Sequence, residues 1–116
     1  LIKDNHIAIE GDINTAIKQA QDFAGHLIPI EVEVDTLEQL EQALEAGVSL
    51  VLLDNMSPEI LSKAVTMCKG RAKTEASGGI TPETVQAVAE TGVDFIAMGY
   101  LTHSTTALDI GLDFSA

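Results

Sequence analysis

The sequence is poor in cysteine and in basic residues, and both shortages exclude classes of function. Its 116 residues include one cysteine, Cys68, which rules out an internal disulfide bond and a cysteine-based metal cluster. We therefore expect a reducing compartment, the cytoplasm. Six basic residues stand against eighteen acidic ones, which gives a net charge of −12. The basic stripe that marks a nucleic-acid-binding protein is absent from such a sequence.

Long apolar runs are also absent. No segment reaches the roughly 20 apolar residues that a membrane-spanning helix needs, and the first residues show no signal-peptide pattern. The hydrophobic fraction of 46% is nevertheless that of a globular core. We expect one modest domain, and the start at Leu1, without Met, leads us to expect part of a longer protein.

One predicted strand carries two acidic side chains on the same face. Because residues two apart in a strand point the same way, Glu31 and Glu33 share one side and Val32 and Val34 share the other. A helix pattern begins directly afterwards at Thr36, which is typical of a βα unit. Buried acids in such a strand are costly unless a metal, a lysine or a cationic ligand offsets their charge.

The rest of the chain repeats this strand–helix unit with a period of about 21 residues. Further strands are predicted at residues 49–53, 72–76 and 93–98, each preceded by an amphipathic helix pattern. This repeat indicates an α/β fold, a partial parallel (TIM-like) α/β barrel of repeated βα units. Four or five strands cannot close an eight-stranded barrel, so we expect the first barrel strands to lie outside this chain.

Several local features complete this prediction. Asp12 is expected to cap a helix that runs to Gly25, and Thr36 is expected to cap the next helix. Residues 4–6 are interpreted as a loop, and residues 108–114 as a final short strand.

Polar residues or glycines stand at the predicted carboxyl end of each strand, where α/β barrels place their active sites. We therefore predict one shared site. The residues at these ends are Lys3, Glu33, Asp54, Ser77, Gly78, Gly79 and Gly99.

Two of these residues, Glu33 and Asp54, end neighbouring strands. Carboxylates suit Mg²⁺, which uses one or two of them together with waters and substrate phosphates. We expect both to serve as metal ligands, directly or through water. Asp54 taken alone is equally well interpreted as a helix-cap or turn residue.

Two glycine turns predict a phosphate site. Ser77-Gly78-Gly79 precedes a helix start at Thr81, and Gly99 precedes a short helix or turn that reaches His103. Backbone N–H groups in such turns approach a phosphate closely, and helix N-termini favour an anion. His103 and Thr102 could donate to the same phosphate, or they could simply belong to a capped short helix.

The lysines are the remaining charged candidates. Lys3 is placed to meet an anionic substrate, with His6 as a possible second donor. Lys73 shares a predicted face with Glu75, so we expect it to form a buried ion pair with Glu31 or Glu75.

Five motifs resemble the C-terminal part of the nicotinate-nucleotide pyrophosphorylase (carboxylating) family, also called quinolinate phosphoribosyltransferases. They occur in the family's order and spacing along the whole chain. The motifs are LIKDNHI (residues 1–7), EVEVD (31–35), LLDNM (52–56), EASGGI (75–80), and GYLTHS (99–104) together with LDIGL (108–112).

The resemblance implies a pentosyltransferase that joins quinolinate to phosphoribosyl pyrophosphate. The products are nicotinate mononucleotide, pyrophosphate and CO2, in de novo NAD biosynthesis. It implies that Lys3 contacts the quinolinate carboxylate, and that Glu33 and Asp54 hold the ribose hydroxyls and the Mg²⁺–pyrophosphate region. The 5′-phosphate site would be lined by Ser77, Gly78, Gly79, Met98, Gly99, Tyr100 and His103.

The resemblance also implies what the chain leaves out. Residues 1–116 would be the C-terminal portion of the α/β-barrel catalytic domain, without the family's N-terminal α/β sandwich domain. In the family, that domain and the first barrel strands carry the arginines and histidine that bind quinolinate and the diphosphate, so we expect this chain alone to be inactive. The N-terminal domain would also complete the site of the partner in a homodimer or higher oligomer. Tyr100 departs from the family, which commonly has a small residue there.

Two alternatives remain at this point. One is a relative of the same fold linked to molybdate-transport operons, which shares part of these motifs. The other is a non-catalytic phosphate-binding barrel module that serves in assembly.

Overall fold

A four-stranded parallel sheet forms the centre of the computed structural model, which describes residues 1–112 and 114. The strands lie side by side in chain order, as in the wall of an α/β barrel. The predicted fold class, a partial TIM-like barrel, is therefore confirmed. The strands are β1 (Glu31–Val34), β2 (Leu50–Asp54), β3 (Lys73–Ser77) and β4 (Phe95–Ile96).

Helices precede, connect and follow these strands. Helix α3 packs against β1, α4 packs against β3, and α2 packs against α3. The helices in the described part of the chain are α1 (Asp4–Glu10), α2 (Ile13–Ala24), α3 (Leu37–Glu45), α4 (Pro58–Cys68), α5 (Val85–Ala89) and α6 (Tyr100–His103).

The helix-covered face of the sheet is the hydrophobic core. Alternate strand residues on this face are fully buried and pack against helix residues such as Leu40 and Leu61. Cys68 belongs to the same core, and burial raises the pKa of its thiol to about 11. The strand residues of this face are Val32, Val34, Val51, Leu53, Thr74 and Ala76.

The predicted helix caps are confirmed. Asp12 Oδ1 accepts a hydrogen bond from Thr15 N at 2.9 Å, and α2 ends before Gly25. Thr36 Oγ1 accepts from Gln39 N at 3.2 Å, which satisfies one of the free donors at the start of α3.

The first residues differ from the prediction, because residues 4–6 begin α1 instead of forming a loop. His6 Nδ1 accepts a hydrogen bond from Lys3 N at 3.0 Å, which closes the first turn of this helix. His6 is therefore engaged locally, and Ile2 forms a single parallel bridge with Val32 of β1.

The last strands also differ from the prediction. β4 covers only Phe95–Ile96 of the expected residues 93–98. Residues 108–112 are exposed and form no strand, because no described segment lies beside them to complete a ladder; residue 113 lies outside the described residues.

The predicted pairing of Lys73 with Glu31 or Glu75 is wrong. Lys73 instead forms an ion pair with Asp94, and 67% of the lysine side chain is exposed. Lys73 and Glu31 both align with Leu50 on the strand between them, so roughly 10 Å separates their backbones. Asp94 is nearer, and it also accepts hydrogen bonds from Thr74 N at 2.9 Å and Thr74 Oγ1 at 3.1 Å.

No helix among the described residues is long and apolar enough to cross a membrane.

The contacts of Asp94 predict a pH-dependent contribution to stability. Hydrogen bonds from Lys73 and Thr74 lower the pKa of Asp94 below its usual 3.8. The ionised Asp94 therefore stabilises the fold at pH values above 3.8, and this stabilisation is lost as the pH falls through the lowered pKa. Asp94→Asn should reduce the free energy of unfolding by about 1 kcal/mol near neutral pH and by much less near pH ~3. Urea denaturation at both pH values checks this.

The matched control is Asp22→Asn, on the exposed face of α2. It should change the free energy of unfolding little at either pH. An Asp94→Asn deficit of equal size at both pH values would contradict the prediction.

Candidate functional site

At the carboxyl edge of the sheet, beside β1, Lys3 forms an ion pair with Glu33. Ile2 N donates to Glu31 O at 2.8 Å and Glu33 N donates to Ile2 O at 2.9 Å, so Lys3 lies beside Glu33. Lys3 Nζ is 3.3 Å from Glu33 Oε2, with 52% of the lysine side chain exposed and 14% of the glutamate side chain exposed. The lysine offsets the charge of the acid and remains accessible from solution.

Asp54 is brought to the same edge and face by the register of β1 and β2. Glu33 aligns with Leu52, and Asp54 lies two residues further along the same strand. The Cα atoms of Glu33 and Asp54 are offset by one strand spacing across the sheet and by two residues along the strand, which gives a distance of about 8 Å. The structure therefore places Glu33 and Asp54 on the same face at this edge, with Lys3 beside Glu33.

The glycine turn after β3 lies beside Asp54, because Asp54 aligns with Ser77. Gly78 has a φ of +95°, and a Cβ atom built on it would lie 2.2 Å from Asn55 Oδ1. Only glycine fits this close approach between the two loops. The turn after β3 is thus packed directly against the loop that follows β2.

The helix start predicted at Thr81 is a hydrogen-bonded turn. Thr81 N donates to Thr84 Oγ1 at 2.9 Å and Val85 N donates to Thr81 O at 2.9 Å, while α5 begins at Val85. The glycine turn and this threonine turn together form the loop between β3 and α5.

The second predicted phosphate turn leads into α6. A Cβ atom at Gly99 would lie 2.9 Å from His103 Nε2, so the histidine ring folds back over this glycine. His103 N donates to Gly99 O at 3.0 Å, and His103 Nδ1 is 2.8 Å from Ser104 Oγ. The ring is exposed and held over the start of a short helix.

The residues around Gly99, which are Met98, Tyr100 and Thr102, make different contacts. Thr102 Oγ1 donates to Gly99 O at 2.9 Å, so its hydroxyl is engaged by the backbone of its own helix, whose start has no side-chain cap. The Met98 side chain packs against the core, so only the backbone groups of this residue would be available to a ligand at the site. Tyr100 is half-buried in the first turn of α6.

Glu31 lies deeper on the face that carries Glu33, and no lysine reaches it. Burial raises the pKa of Glu31, and the neighbouring carboxylate of Glu75 raises it further. Glu31 Oε1 is buried and has no hydrogen-bond partner among the described residues. The inner face below the site therefore groups the carboxyl groups of Glu31, Glu33 and Glu75, an arrangement that favours the neutral form of Glu31.

Asn55 is a site residue that the sequence prediction missed. Its side-chain amide donates to Asp54 Oδ2, and its backbone N–H donates to Ser77 O at 3.0 Å. Its φ of +52° is in the left-handed region, which asparagine tolerates better than most residues. The available signal was an asparagine directly after the acid that ends a strand.

The donor set at this edge fits Mg²⁺. Glu33 and Asp54 provide two hard carboxylate groups, and Mg²⁺ in proteins completes its coordination with water and substrate oxygens. Among residues 1–112 and 114, no group of three or more His, Cys, Asp or Glu side chains is placed to hold a metal ion. The metal would therefore need the substrate or water for its remaining ligands.

A family model described as "Quinolinate phosphoribosyl transferase, C-terminal domain" matches residues 1–113. A Bacillus subtilis protein described as "Probable nicotinate-nucleotide pyrophosphorylase [carboxylating]" is 47% identical over 97% of this chain and 39% of its own length. The human protein of that name is 39% identical over the full chain and 40% of its own length. The chain thus spans about two fifths of these relatives.

Solved structures agree with the sequence matches. The nicotinate-nucleotide pyrophosphorylase from Ehrlichia chaffeensis superimposes with a TM-score of 0.89 at 41% identity, covering 97% of this chain and 40% of that one. A NadC deletion mutant gives a TM-score of 0.87 at 42% identity, covering 93% of this chain and 38% of its own. Mandelate oxidase, at 16% identity and a TM-score of 0.62 over 74% of this chain and 27% of its own, shares the fold alone.

The two glycines of the turn after β3 predict unequal sensitivity to substitution. Gly78→Ala forces a Cβ into Asn55, whereas a Cβ at Gly79 meets nothing within 4 Å; both positions have positive φ. Gly79→Ala should cost about 1 kcal/mol of unfolding free energy from the backbone conformation, and Gly78→Ala at least about 1 kcal/mol more. Urea denaturation of both variants measures the difference, and equal losses would contradict it.

Proposed function

The chain belongs to the quinolinate phosphoribosyltransferase family, whose C-terminal domain it matches, and we propose that it provides the barrel part of that enzyme's active site. The reaction converts quinolinate and phosphoribosyl pyrophosphate to nicotinate mononucleotide, pyrophosphate and CO2, in de novo NAD biosynthesis. The observation that supports it best is the grouping of Lys3, Glu33 and Asp54 beside a glycine turn.

Lys3 is proposed to bind a carboxylate of quinolinate. Its ammonium group is half exposed at the mouth of the site, and Glu33 fixes its position at 3.3 Å. A positive charge held in this way attracts and orients an anionic pyridine dicarboxylate before the reaction begins.

Glu33 and Asp54 are proposed to hold the ribose hydroxyls. Bond cleavage at the ribose carbon develops positive charge on the sugar, and fixed carboxylates nearby stabilise that charge. Bound at these two carboxylates and the diphosphate, Mg²⁺ would neutralise the charge on the departing pyrophosphate.

The 5′-phosphate is proposed to lie between the two glycine turns. Backbone N–H groups that are free of side chains can approach a phosphate closely. The exposed ring of His103 over Gly99 adds a side-chain donor at the second turn. The proposed lining consists of Ser77, Gly78, Gly79, Met98, Gly99, Tyr100 and His103.

Two alternative assignments predict different behaviour. A molybdate-operon relative should lack quinolinate-dependent release of pyrophosphate. A non-catalytic phosphate-binding module should bind phosphate without regard to Mg²⁺ and should tolerate changes at Glu33 and Asp54. Both the family match and the paired carboxylates favour the transferase.

The charge of the chain predicts that it needs further cations to act. With a net charge of −12, the 116-residue chain cannot by itself neutralise a dicarboxylate and a diphosphate. We propose that the longer cytoplasmic protein, as a homodimer or larger homo-oligomer, supplies them. The isolated chain should therefore show no quinolinate-dependent release of pyrophosphate, and turnover by it would refute this.

The central test replaces the two carboxylates in the longer protein. Glu33→Gln and Asp54→Asn should each lower kcat/KM about 100- to 1000-fold, because each removes a charge that stabilises the transition state. Pyrophosphate release with varied quinolinate and phosphoribosyl pyrophosphate measures this.

Glu38→Gln, on the exposed side of α3, is the matched control and should retain wild-type activity. Full activity of both site variants, or a wild-type protein without quinolinate-dependent turnover, would contradict the proposed function.

A further inference from the structure

Asn55 has a left-handed backbone conformation, which is uncommon for a non-glycine residue even though asparagine tolerates it better than most. Among the residues that the structure describes, it is the one non-glycine residue with a positive φ, +52°. Such conformations persist where surrounding contacts hold them, and they cluster at functional sites. Asn55 is exposed, so its conformation is not required for packing in the core.

The contacts of Asn55 join two separate parts of the site. Its side-chain amide donates to Asp54 Oδ2, and its backbone N–H donates to Ser77 O at 3.0 Å. Its side-chain oxygen occupies the space beside Gly78 that a Cβ atom would need. One residue thus contacts both the carboxylate that ends β2 and the glycine turn that follows β3.

The two contacts come from different parts of one residue. The N–H of Asn55 continues the β2–β3 ladder one step beyond the pair of Asp54 and Ser77, and its side chain hydrogen-bonds back to Asp54. The hydrogen bond from the amide to Asp54 Oδ2 restricts rotation of the carboxylate, and both oxygens keep lone pairs for a ligand.

We propose that Asn55 is a positioning residue, which fixes the Asp54 carboxylate and the Ser77-Gly78-Gly79 turn relative to each other for binding of a Mg²⁺–diphosphate sugar. This inference rests on the proposed function. Asn55 acts through Asp54 and the turn, and it does not itself contact the reacting atoms. Hydrogen-bond partners that orient a ligating carboxylate typically change metal affinity or activity 10- to 100-fold when they are lost.

The test uses the longer protein with Asn55→Gly, because glycine retains the positive φ and removes only the amide. The Mg²⁺ concentration for half-maximal activity should rise about 10-fold or more. Calorimetric binding of phosphoribosyl pyrophosphate in the presence of Mg²⁺ should weaken by a similar factor, while the melting temperature stays close to that of the wild type.

Asn55→Asp is the second variant, since it retains the shape and replaces the donor with a charge facing Asp54. Its binding of phosphoribosyl pyrophosphate in the presence of Mg²⁺ should weaken at least as much as that of Asn55→Gly, because the added charge repels the diphosphate and the donor to Asp54 is lost. Gln21→Glu, exposed near the end of α2 and close to Ser49 before β2, adds the same charge toward the opposite edge of the sheet and should leave both readouts unchanged.

The outcomes separate this inference from the proposed function. A wild-type protein without quinolinate-dependent turnover counts against the function, and calorimetry still compares the variants. Unchanged Mg²⁺ dependence and unchanged binding in Asn55→Gly would overturn the positioning role. A lower melting temperature with both readouts unchanged would likewise overturn it and leave Asn55 with a structural role alone.

Discussion

The in-register parallel alignment of β1, β2 and β3 is the constraint on which the site depends. Parallel strands in register end at one edge, so residues at equivalent positions of successive repeats are brought side by side. The alternation of side chains then decides which face they share. Val32 and Leu53 anchor the strands in the core, and that anchoring holds Glu33 and Asp54 on the opposite face. Stability and function are thus fixed by the same register.

Much of this arrangement could be predicted from the sequence because it follows from short-range rules. The period of the βα repeat, the cap at Asp12 and the residues at the strand ends each depend on a few neighbouring residues. The position of Lys3 beside Glu33 agrees with the sequence prediction that places both at the carboxyl edge, although Ile2 forms only a single bridge with β1. The motif resemblance added the identity of the ligands, which spacing and burial alone did not specify.

The features that the sequence prediction missed depend on which residue or segment lies nearest in the folded chain. Lys73 was assigned by strand face to Glu31 or Glu75, but the loop before β4 brings Asp94 closer to it. Residues 108–112 have the alternation of a strand and lack a described neighbour to pair with. The role of Asn55 depends on a backbone angle and on the approach of Gly78, neither of which a pattern reveals.

The distribution of charge supports the proposal that this edge is half of a site. Lys3 is the cation that the described residues place at the carboxyl edge, and Glu33 already pairs with it. Below them, Glu31 has an unpartnered buried oxygen and a pKa that both burial and Glu75 raise. A site built from these residues alone would repel a diphosphate or a dicarboxylate. The carboxylates suit the cationic sugar of the proposed transition state, so in the proposed function the positive charges that hold its anionic ends come from outside these residues.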